Sequence, residues 1–309
     1  MNMISKSPVA ATSGASMLAS KAVLVSLNCR AWLGKTTDKD VTREVLSDKG
    51  AREDAGGWTT RLMEKKYLSP ITANHTAARA LHYRLSRPWS QNGQSILPIV
   101  HFDEYASAMR EFARIHEENT KIFIGQYPGI RDDYMANMER LGRLYDPDKW
   151  PPVSQIGKRF SFGHQMSPVP TAADFRVDVG DAVRAELEHR IMETAAASMA
   201  RTMAQVAELV ATMAGTLETY KPATGDHKAV GTFRDSLVTN IRDLARTLPA
   251  FDLTDSSVYR DMVAAVEKLS RIEPEKLRAD PDARQDAIAA AKALAADCEA
   301  LANDASRFF

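Results

Sequence analysis

The chain has 309 residues, of which 44% are hydrophobic and 26% are charged. This composition is typical of a folded globular protein and excludes a disordered chain. The 40 basic and 40 acidic residues balance, so no global positive field draws the chain onto nucleic acid or an anionic membrane. Any electrostatic recognition therefore has to be local.

The two cysteines, Cys29 and Cys298, stand far apart in the sequence. Two isolated thiols build neither a disulfide framework nor a zinc knuckle, which favours a reducing cytoplasm. The apolar stretch over residues 22–27 is too short to be the core of an export signal. We therefore expect residues 1–20 to be a flexible tail that leads into a strand.

The most apolar long segment, residues 195–217, contains Arg201 and Glu208. A spanning helix would bury both charges in lipid, at high cost. The sequence therefore predicts a soluble helix here and no association with a membrane.

The first half of the chain combines one strand with several helices. Residues 22–33 alternate between apolar and polar, with Leu33 on the predicted buried face and Arg30 on the polar face, which indicates a half-buried strand ending near Leu33. Helical spacing and capping residues predict helices over 41–46, 69–87, 103–124 and 128–144. The break between the last two is placed at Pro128, because proline interrupts a helix. Together these elements predict a small α+β domain over residues 21–145.

Residues 146–176 are rich in proline and glycine, which predicts a linker without regular structure. Three aromatic residues within it, Trp150, Phe160 and Phe162, indicate that the linker packs against another part of the chain.

Residues 177–309 are predicted to form a helical bundle. Apolar residues recur every three or four positions over residues 181–220, which predicts a single helix of about 40 residues with one buried stripe. Further helices are predicted over 228–248, 255–272 and 282–305. The predicted fold class is mainly α: a small α+β N-terminal part followed by an elongated antiparallel bundle.

The motif GKTT at residues 34–37 follows the predicted strand and invites comparison with a phosphate-binding loop. That loop requires a glycine five positions before Gly34, where this chain has Cys29. We therefore expect Lys35 to be a turn lysine without a nucleotide-binding role.

No other local motif predicts catalysis. The seven histidines show no metal-ligand spacing, and no nucleophile elbow or glycine-rich dinucleotide loop occurs. We expect no cofactor and no metal, and a non-enzymatic protein, although a site assembled from distant segments leaves no local trace.

The strongest functional signal is a basic, aromatic segment over residues 57–101. It holds six basic residues and one acidic residue, with Trp58, Tyr67, Tyr83 and Trp89 among them, whereas residues 252–309 hold twelve acidic and eight basic residues. Arginine matches phosphate geometry and aromatic rings stack on bases. The candidate nucleic-acid-binding residues are Arg61, Lys65, Lys66, Arg79, Tyr83, Arg84, Arg87 and Trp89, together with Lys158 and Arg159 of a smaller cluster.

A helical projection of residues 70–87 divides this segment into two faces. Ile71, Ala78, Leu81 and Leu85 form the predicted buried face, and Arg79, Tyr83 and Arg87 the predicted exposed face. Three interpretations of the exposed face remain open: a nucleic-acid surface, a protein-binding surface, or an ordinary solvated face.

At RAWLGKTTDKDVTREVLSDKGA, SRPWSQNGQSILP and FRDSLVTNIRDLARTLP the sequence resembles a family of proteins of unknown function. These are encoded by bacteriophages, integrative elements and plasmids, often near recombination genes or genes for MoxR-type AAA+ ATPases. The resemblance implies an accessory role in the cytoplasm of a bacterial host and supplies no catalytic residues.

The leading hypothesis is a non-enzymatic accessory protein that binds nucleic acid and self-assembles into a homo-oligomer through its long helices. The alternative is an adaptor or scaffold for phage or host proteins, such as an AAA+ ATPase, without nucleic-acid contact.

Overall fold

A computed structural model describes residues 14–89, 93–136, 142–144, 146–171, 180–222, 231 and 233–308. The chain divides into two compact units, each built from separate stretches of sequence. Unit 1 comprises the described residues of Met1–Val25, Arg84–Phe102 and Met166–Phe309, and unit 2 those of Ser26–Tyr83 and Asp103–Gln165. The architecture is mainly helical, with a small sheet-containing N-terminal part, which confirms the predicted fold class.

The helices and strands follow one another in a mixed order. The helices are α1 (Gly14–Lys21), α2 (Lys39–Asp48), α3 (Ser69–Leu85), α4 (Phe102–Ala136), α5 (Val153–Ile156), α6 (Asp181–Thr219), α7 (Asp235–Thr247), α8 (Ser257–Ser270), α9 (Pro274–Ala279) and α10 (Pro281–Asn303). The strands are β1 (Ala22–Arg30), β2 (Lys35–Asp38), β3 (Trp58–Arg61), β4 (Arg87–Pro88), β5 (Ser95–Pro98) and β6 (Ser161–Pro168).

Strands form a four-stranded sheet in the order β4-β5-β1-β6 and a separate β2–β3 ribbon. β1 and β5 are antiparallel, with Ala22 opposite Pro98. β1 ends at Arg30, three residues earlier than predicted, because Trp32 turns into the core of unit 2 against Phe123 and Tyr127. Leu33, predicted to lie on the buried face, is 54% exposed.

Unit 1 is built around α6 and α10, which run antiparallel. Lys292, in the middle of α10, contacts Glu218 near the end of α6. Phe308, which follows α10, lies near Met199 in the middle of α6, since the hydroxyl of Thr254 contacts both residues. The predicted stripe on α6 is buried from Ala195 onward. An apolar stripe along a helix has to be buried against another helix, and the antiparallel bundle satisfies this requirement for α6.

Several boundaries in unit 1 differ from the prediction. Residues 14–20, predicted to be tail, belong to α1, since Ala15 and Leu18 are buried and α1 packs on α6. Residues 1–13 and the predicted start of a helix at residue 228 lie outside the described residues. A short helix, α9, precedes α10 and begins at Pro274, a favourable residue for a first helical turn.

Unit 2 has an aromatic core. Its buried cluster contains Trp32, Phe123, Tyr127, Tyr134, Trp150 and Phe160, among other residues. Trp150 and Phe160 therefore pack as predicted. The predicted absence of regular structure between residues 146 and 171 is wrong, because α5 and β6 form there; residues 172–176 lie outside the described residues.

The predicted helix break at Pro128 is also wrong. α4 runs from Phe102 to Ala136 with Pro128 inside it. Tyr127, Ile130 and Tyr134 are all buried in the aromatic core, and the Tyr127 hydroxyl donates to the carbonyl of Pro151 at 2.7 Å. Burying these large side chains offsets the roughly 3 kcal/mol that an internal proline costs. The predicted end of this helix near residue 144 cannot be traced through residues 137–141, which lie outside the described residues.

Candidate nucleic-acid interface

The residues predicted to bind nucleic acid belong to both units. Unit 2 contains Arg61, Lys65, Lys66, Arg79, Tyr83, Lys158 and Arg159, and unit 1 contains Arg84, Arg87 and Trp89. The helical projection is correct within α3: Ile71, Ala78 and Leu85 are buried and Leu81 is half-buried, while Arg79 and Tyr83 are exposed.

Arg87 does not lie on the exposed face predicted for it, so this part of the projection is wrong, and the candidate binding residue Trp89 is buried as well. α3 ends at Leu85, and the side chains of Arg87 and Trp89 are only 6% and 7% exposed. The guanidinium of Arg87 lies 4.2 Å from the ring centre of Phe251 and donates to the carbonyl of Ser86. A projection that assumes helix beyond Leu85 cannot place Arg87, because the backbone direction changes there.

Two candidates from distant parts of the sequence contact neighbouring residues at the end of β1. Arg79 donates from Nη2 to the carbonyl of Cys29 at 2.9 Å. The next residue, Arg30, donates from its Nη2 to the carbonyl of Lys158 at 2.6 Å. We call Arg30, Arg79 and Lys158 the strand-end cluster. Arg30 was not among the predicted binding residues, although its place on the polar face of the strand was correctly assigned.

The strand-end cluster has no acidic counterpart. Among the described residues, none of its three side chains forms an ion pair with a carboxylate, and all three are exposed. Some other cations of unit 2 are paired: Lys66 lies 3.1 Å from Glu64, and Lys149 lies 2.6 Å from Asp38. The end of β1 therefore carries positive charge that no carboxylate among the described residues neutralises.

A polar groove of about 500 Å³ adjoins the strand-end cluster. Arg30 is part of its wall, together with Ser26 and Asn28 from β1 and Phe162 and His164 from β6. The ring of Phe162 also packs near His75 and His116, with ring centres 5.9 and 5.8 Å apart. The groove thus offers hydrogen-bonding groups and an arginine, and the packing of Phe162 near the two histidines holds one of its walls in place.

Buried histidines lie beneath this surface. Nε2 of His75 is 2.9 Å from Nδ1 of His116, and Nδ1 of His82 is 2.9 Å from the hydroxyl of Tyr105. Burial lowers the pKa of His75 to about 4, with His116 and Arg79 acting in the same direction. Burial also lowers the pKa of His82 to about 4. These imidazoles are neutral core groups at physiological pH.

The surroundings of Cys29 disfavour its thiolate form. Burial raises the pKa of its thiol, and the nearby positive charge of Arg79 opposes the shift only in part. A thiol with a raised pKa carries little of the reactive thiolate at neutral pH.

The remaining predicted residues are divided between other surfaces. Lys66 pairs with Glu64 and lies over the ring of Tyr67, with Nζ 5.1 Å from the ring centre. Tyr83 is 62% exposed. Arg159 is exposed beside Lys158, whereas Arg61 and Lys65 line a separate cavity at the start of α3.

No metal centre is formed in the described ranges: no grouping of three or more His, Cys, Asp or Glu side chains there is arranged to hold a metal ion. In the part of the chain that the structure describes, every helix is too short or too polar to span a lipid bilayer.

The glycine of the GKTT segment has a structural role in a turn. Gly34 adopts a φ of 65° in the turn between β1 and β2, a conformation that favours glycine. A Cβ at this position would approach Met63 to 3.0 Å. Lys35 begins β2.

Comparison of the chain with protein-family models, with characterised protein sequences and with solved structures found no match.

Proposed function

We propose that the protein binds single-stranded nucleic acid through the strand-end cluster and the adjoining groove of unit 2. The observation that carries the proposal is that the exposed cations Arg30, Arg79 and Lys158 all lie at the end of β1 without an acidic partner among the described residues. Exposed cations without carboxylate partners leave their donors available for phosphate oxygens.

A single strand fits this surface better than a duplex. Tyr83 lies one helical turn beyond Arg79 on α3, and most of its ring is exposed. Aromatic faces stack on unpaired bases while cations contact the backbone, which is a sequence-tolerant mode of binding. The role that follows is a non-enzymatic accessory function on nucleic acid in a phage or mobile element, in line with the resemblance noted above.

The experiment is fluorescence anisotropy with a labelled single-stranded 20-mer, as DNA and as RNA, and with the matching duplex. Three phosphate contacts correspond to a log–log salt slope of about −2 for a single strand. We therefore expect affinity to fall roughly 15-fold between 50 and 200 mM salt. The duplex should bind more weakly than the single strand.

The variant that tests the site combines Arg30→Ala, Arg79→Ala and Lys158→Ala. It should remove most of the affinity and most of the salt dependence. The matched control is Lys121→Ala, since Lys121 is exposed in the same unit but lies on α4 outside the groove. Absence of any anisotropy change at 50 mM salt sinks the proposal, and full binding by the triple variant sinks the site. A protein that ignores nucleic acid but co-purifies with an AAA+ ATPase would be the adaptor of the alternative hypothesis.

We also propose self-assembly through the first half of α6. Residues 181–194 continue the apolar stripe, but none of them is buried among the described residues, and Val183 is exposed. The stripe is flanked by both signs of charge, as at Glu186 and Arg190, which suits an identical antiparallel helix.

Light scattering should show a dimer or larger assembly that Val183→Glu with Leu187→Glu dissociates. Ala185→Glu, on another face, is the control; a monomeric wild-type protein would refute self-assembly.

A further inference from the structure

Lys35 and Arg61 lie directly opposite each other at the open end of the β2–β3 ribbon. Side chains at directly opposite positions project from the same face, so two like charges there repel each other. Lys65, four residues further on, lines the same cavity. None of the three forms an ion pair within the described residues, although Lys66, beside Lys65, pairs with Glu64. Three cations thus converge without a counter-charge.

The cavity at this place combines a basic wall with an apolar one. Its volume is about 360 Å³, within the range of sites for small molecules. Leu33 and Leu68 supply apolar surface, and the hydroxyls of Ser69 and Thr72 in the first turn of α3, which donate to backbone carbonyls of the helix start, complete the wall. The exposed Leu33 side chain lies on this wall, where a flat or apolar part of a ligand would cover it.

The walls of the cavity are held in place by buried neighbours. Leu62, next to Arg61, donates its N–H to the carbonyl of Gly34, next to Lys35, at 2.8 Å. Leu62, Met63 and Leu68 are all buried in the aromatic core of unit 2. The backbones that carry the cations therefore have little freedom to move apart and relieve their repulsion, and the site is organised in advance of binding.

We propose that this cavity binds a phosphate monoester that carries an aromatic or apolar group, such as a nucleoside 5′-monophosphate. A phosphate monoester carries up to two negative charges and three acceptor oxygens, which three converging cations match better than they match a single carboxylate. The arginine fork of Arg61 binds two phosphate oxygens together. This site is separate from the proposed single-strand site, because no residue of the strand-end cluster lines the cavity.

The experiment is isothermal titration calorimetry with adenosine 5′-monophosphate, adenosine and inorganic phosphate as separate probes. Adenosine 5′-monophosphate should bind, adenosine should not, and inorganic phosphate should bind at least about tenfold more weakly because it leaves the apolar wall uncovered. Lys35→Gln, Arg61→Gln and Lys65→Gln should each lower the affinity about tenfold. Lys121→Gln, which removes an exposed charge elsewhere in unit 2, should leave it unchanged.

A thermal melt separates loss of binding from loss of folding. Lys35→Gln removes the repulsion across the ribbon, so its Tm without ligand should equal or exceed that of the wild type. Adenosine 5′-monophosphate should raise the Tm of the wild type by more than it raises that of Lys35→Gln. No heat of binding at millimolar monophosphate, or wild-type affinity in all three cavity variants, overturns the proposal.

Competition experiments distinguish two sources of the phosphate monoester, the 5′ end of a nucleic-acid strand and a free nucleotide. A hexanucleotide with a 5′-phosphate that displaces adenosine 5′-monophosphate, where the 5′-hydroxyl hexanucleotide does not, identifies a strand end as the ligand. Displacement by mononucleotides alone identifies a free nucleotide. The triple variant of the strand-end cluster should retain affinity for adenosine 5′-monophosphate, so failure of the single-strand proposal leaves a result at the cavity interpretable.

Discussion

Nε2 of His75 lies 2.9 Å from Nδ1 of His116, and the two rings are stacked with their centres 4.9 Å apart. One nitrogen of the pair has to donate and the other has to accept, so the hydrogen bond requires at least one neutral ring. Asn74, adjacent to His75, holds α3 to α4 by donating to the carbonyl of Phe112. Protonation of the pair would therefore disturb a contact between the two helices that carry unit 2.

We expect the stability of unit 2 to fall at acidic pH. Burial lowers the pKa of His75 to about 4 and lowers that of His116 from its ordinary value of 6.5. Between pH 6.5 and 4 the unfolded chain binds more protons than the folded one, so the free energy of unfolding decreases as pH falls through this window. The Tm should be nearly constant from pH 8 to 7 and should drop progressively below pH 6.5.

The double variant His75→Phe with His116→Phe removes both titrating groups and keeps aromatic rings in the core. Its Tm should depend less on pH between 6.5 and 4 than that of the wild type, with a remaining slope from His82, whose pKa is lowered in the same way. His189→Phe is the control, since His189 is exposed on α6. Identical pH profiles for the wild type and the double variant would contradict the assignment.

A second prediction concerns the ion pair of Asp38 and Lys149. Asp38 is almost fully buried at the start of α2, where its Oδ1 accepts from the N–H of Val41 and its Oδ2 lies 2.6 Å from Nζ of Lys149. Lys149→Met leaves a buried carboxylate without its cation, so it should lower the free energy of unfolding by roughly 1–3 kcal/mol, between exposed and fully buried pairs.

Urea unfolding measures this effect, and Lys49→Met is its control. Lys49 makes an exposed pair with Asp48 at 3.7 Å, so its loss should change stability by less than about 0.5 kcal/mol. Asp38→Asn combined with Lys149→Met should recover part of the loss, because no uncompensated charge remains. Equal stability of Lys149→Met and the wild type would show that solvent already screens the pair.

The sequence predicts those parts of the fold that a local pattern decides. The stripe on α6 follows from helical spacing, and the start of α3 follows from Ser69 and Pro70, whereas the end predicted at Arg87 lies two residues beyond the observed end at Leu85. The continuation of α4 through Pro128 could not be predicted, since it depends on Tyr127 meeting aromatic residues from distant segments. β6 could not be predicted either, because it forms in a stretch whose composition alone indicates a loop.

The candidate site also has a part that could be predicted from the sequence and a part that could not. Arg79 and Lys158 could be selected from composition and spacing, because exposed cations beside aromatics are visible in the sequence. Their meeting at the end of β1 could not be predicted, since the hydrogen bond from Arg30 to Lys158 joins residues 128 positions apart. Lys35 was assigned to a turn because its partner across the ribbon, Arg61, is known only once the strands are paired.

A third prediction follows from Pro128 inside α4. Proline has no N–H, so the carbonyl of Ile124 loses the helical donor that any other residue would provide. Pro128→Ala should raise the free energy of unfolding by about 1–2 kcal/mol, which is the restored helical bond less the entropy that the unfolded chain regains. Gly125→Ala and Gly129→Ala, where an added Cβ meets no atom within 4 Å, should each stabilise by about 0.5–1 kcal/mol. The prediction is contradicted if Pro128→Ala destabilises the protein while both glycine variants stabilise it. The proline would then support the packing of Tyr127 by more than the restored helical hydrogen bond contributes.

The last prediction separates a structural arginine from a binding one. Burial lowers the pKa of Arg87, and the guanidinium is held by the ring of Phe251 and the carbonyls of Arg84 and Ser86. Arg87→Ala removes these contacts from the core of unit 1, so it should lower the free energy of unfolding by about 2–4 kcal/mol. Arg79→Ala removes an exposed side chain with one hydrogen bond and should cost less than about 1 kcal/mol.

Urea unfolding and single-strand affinity, measured on the same samples, give opposite rankings for the two arginines. Arg79→Ala should weaken binding with little change in stability, and Arg87→Ala should lower stability while the fraction that stays folded binds normally. Arg87→Lys should fall between Arg87→Ala and the wild type in stability, because lysine keeps the charge but not the planar group that stacks on Phe251. A loss of affinity in fully folded Arg87→Ala would mean that this arginine contributes to binding despite its burial.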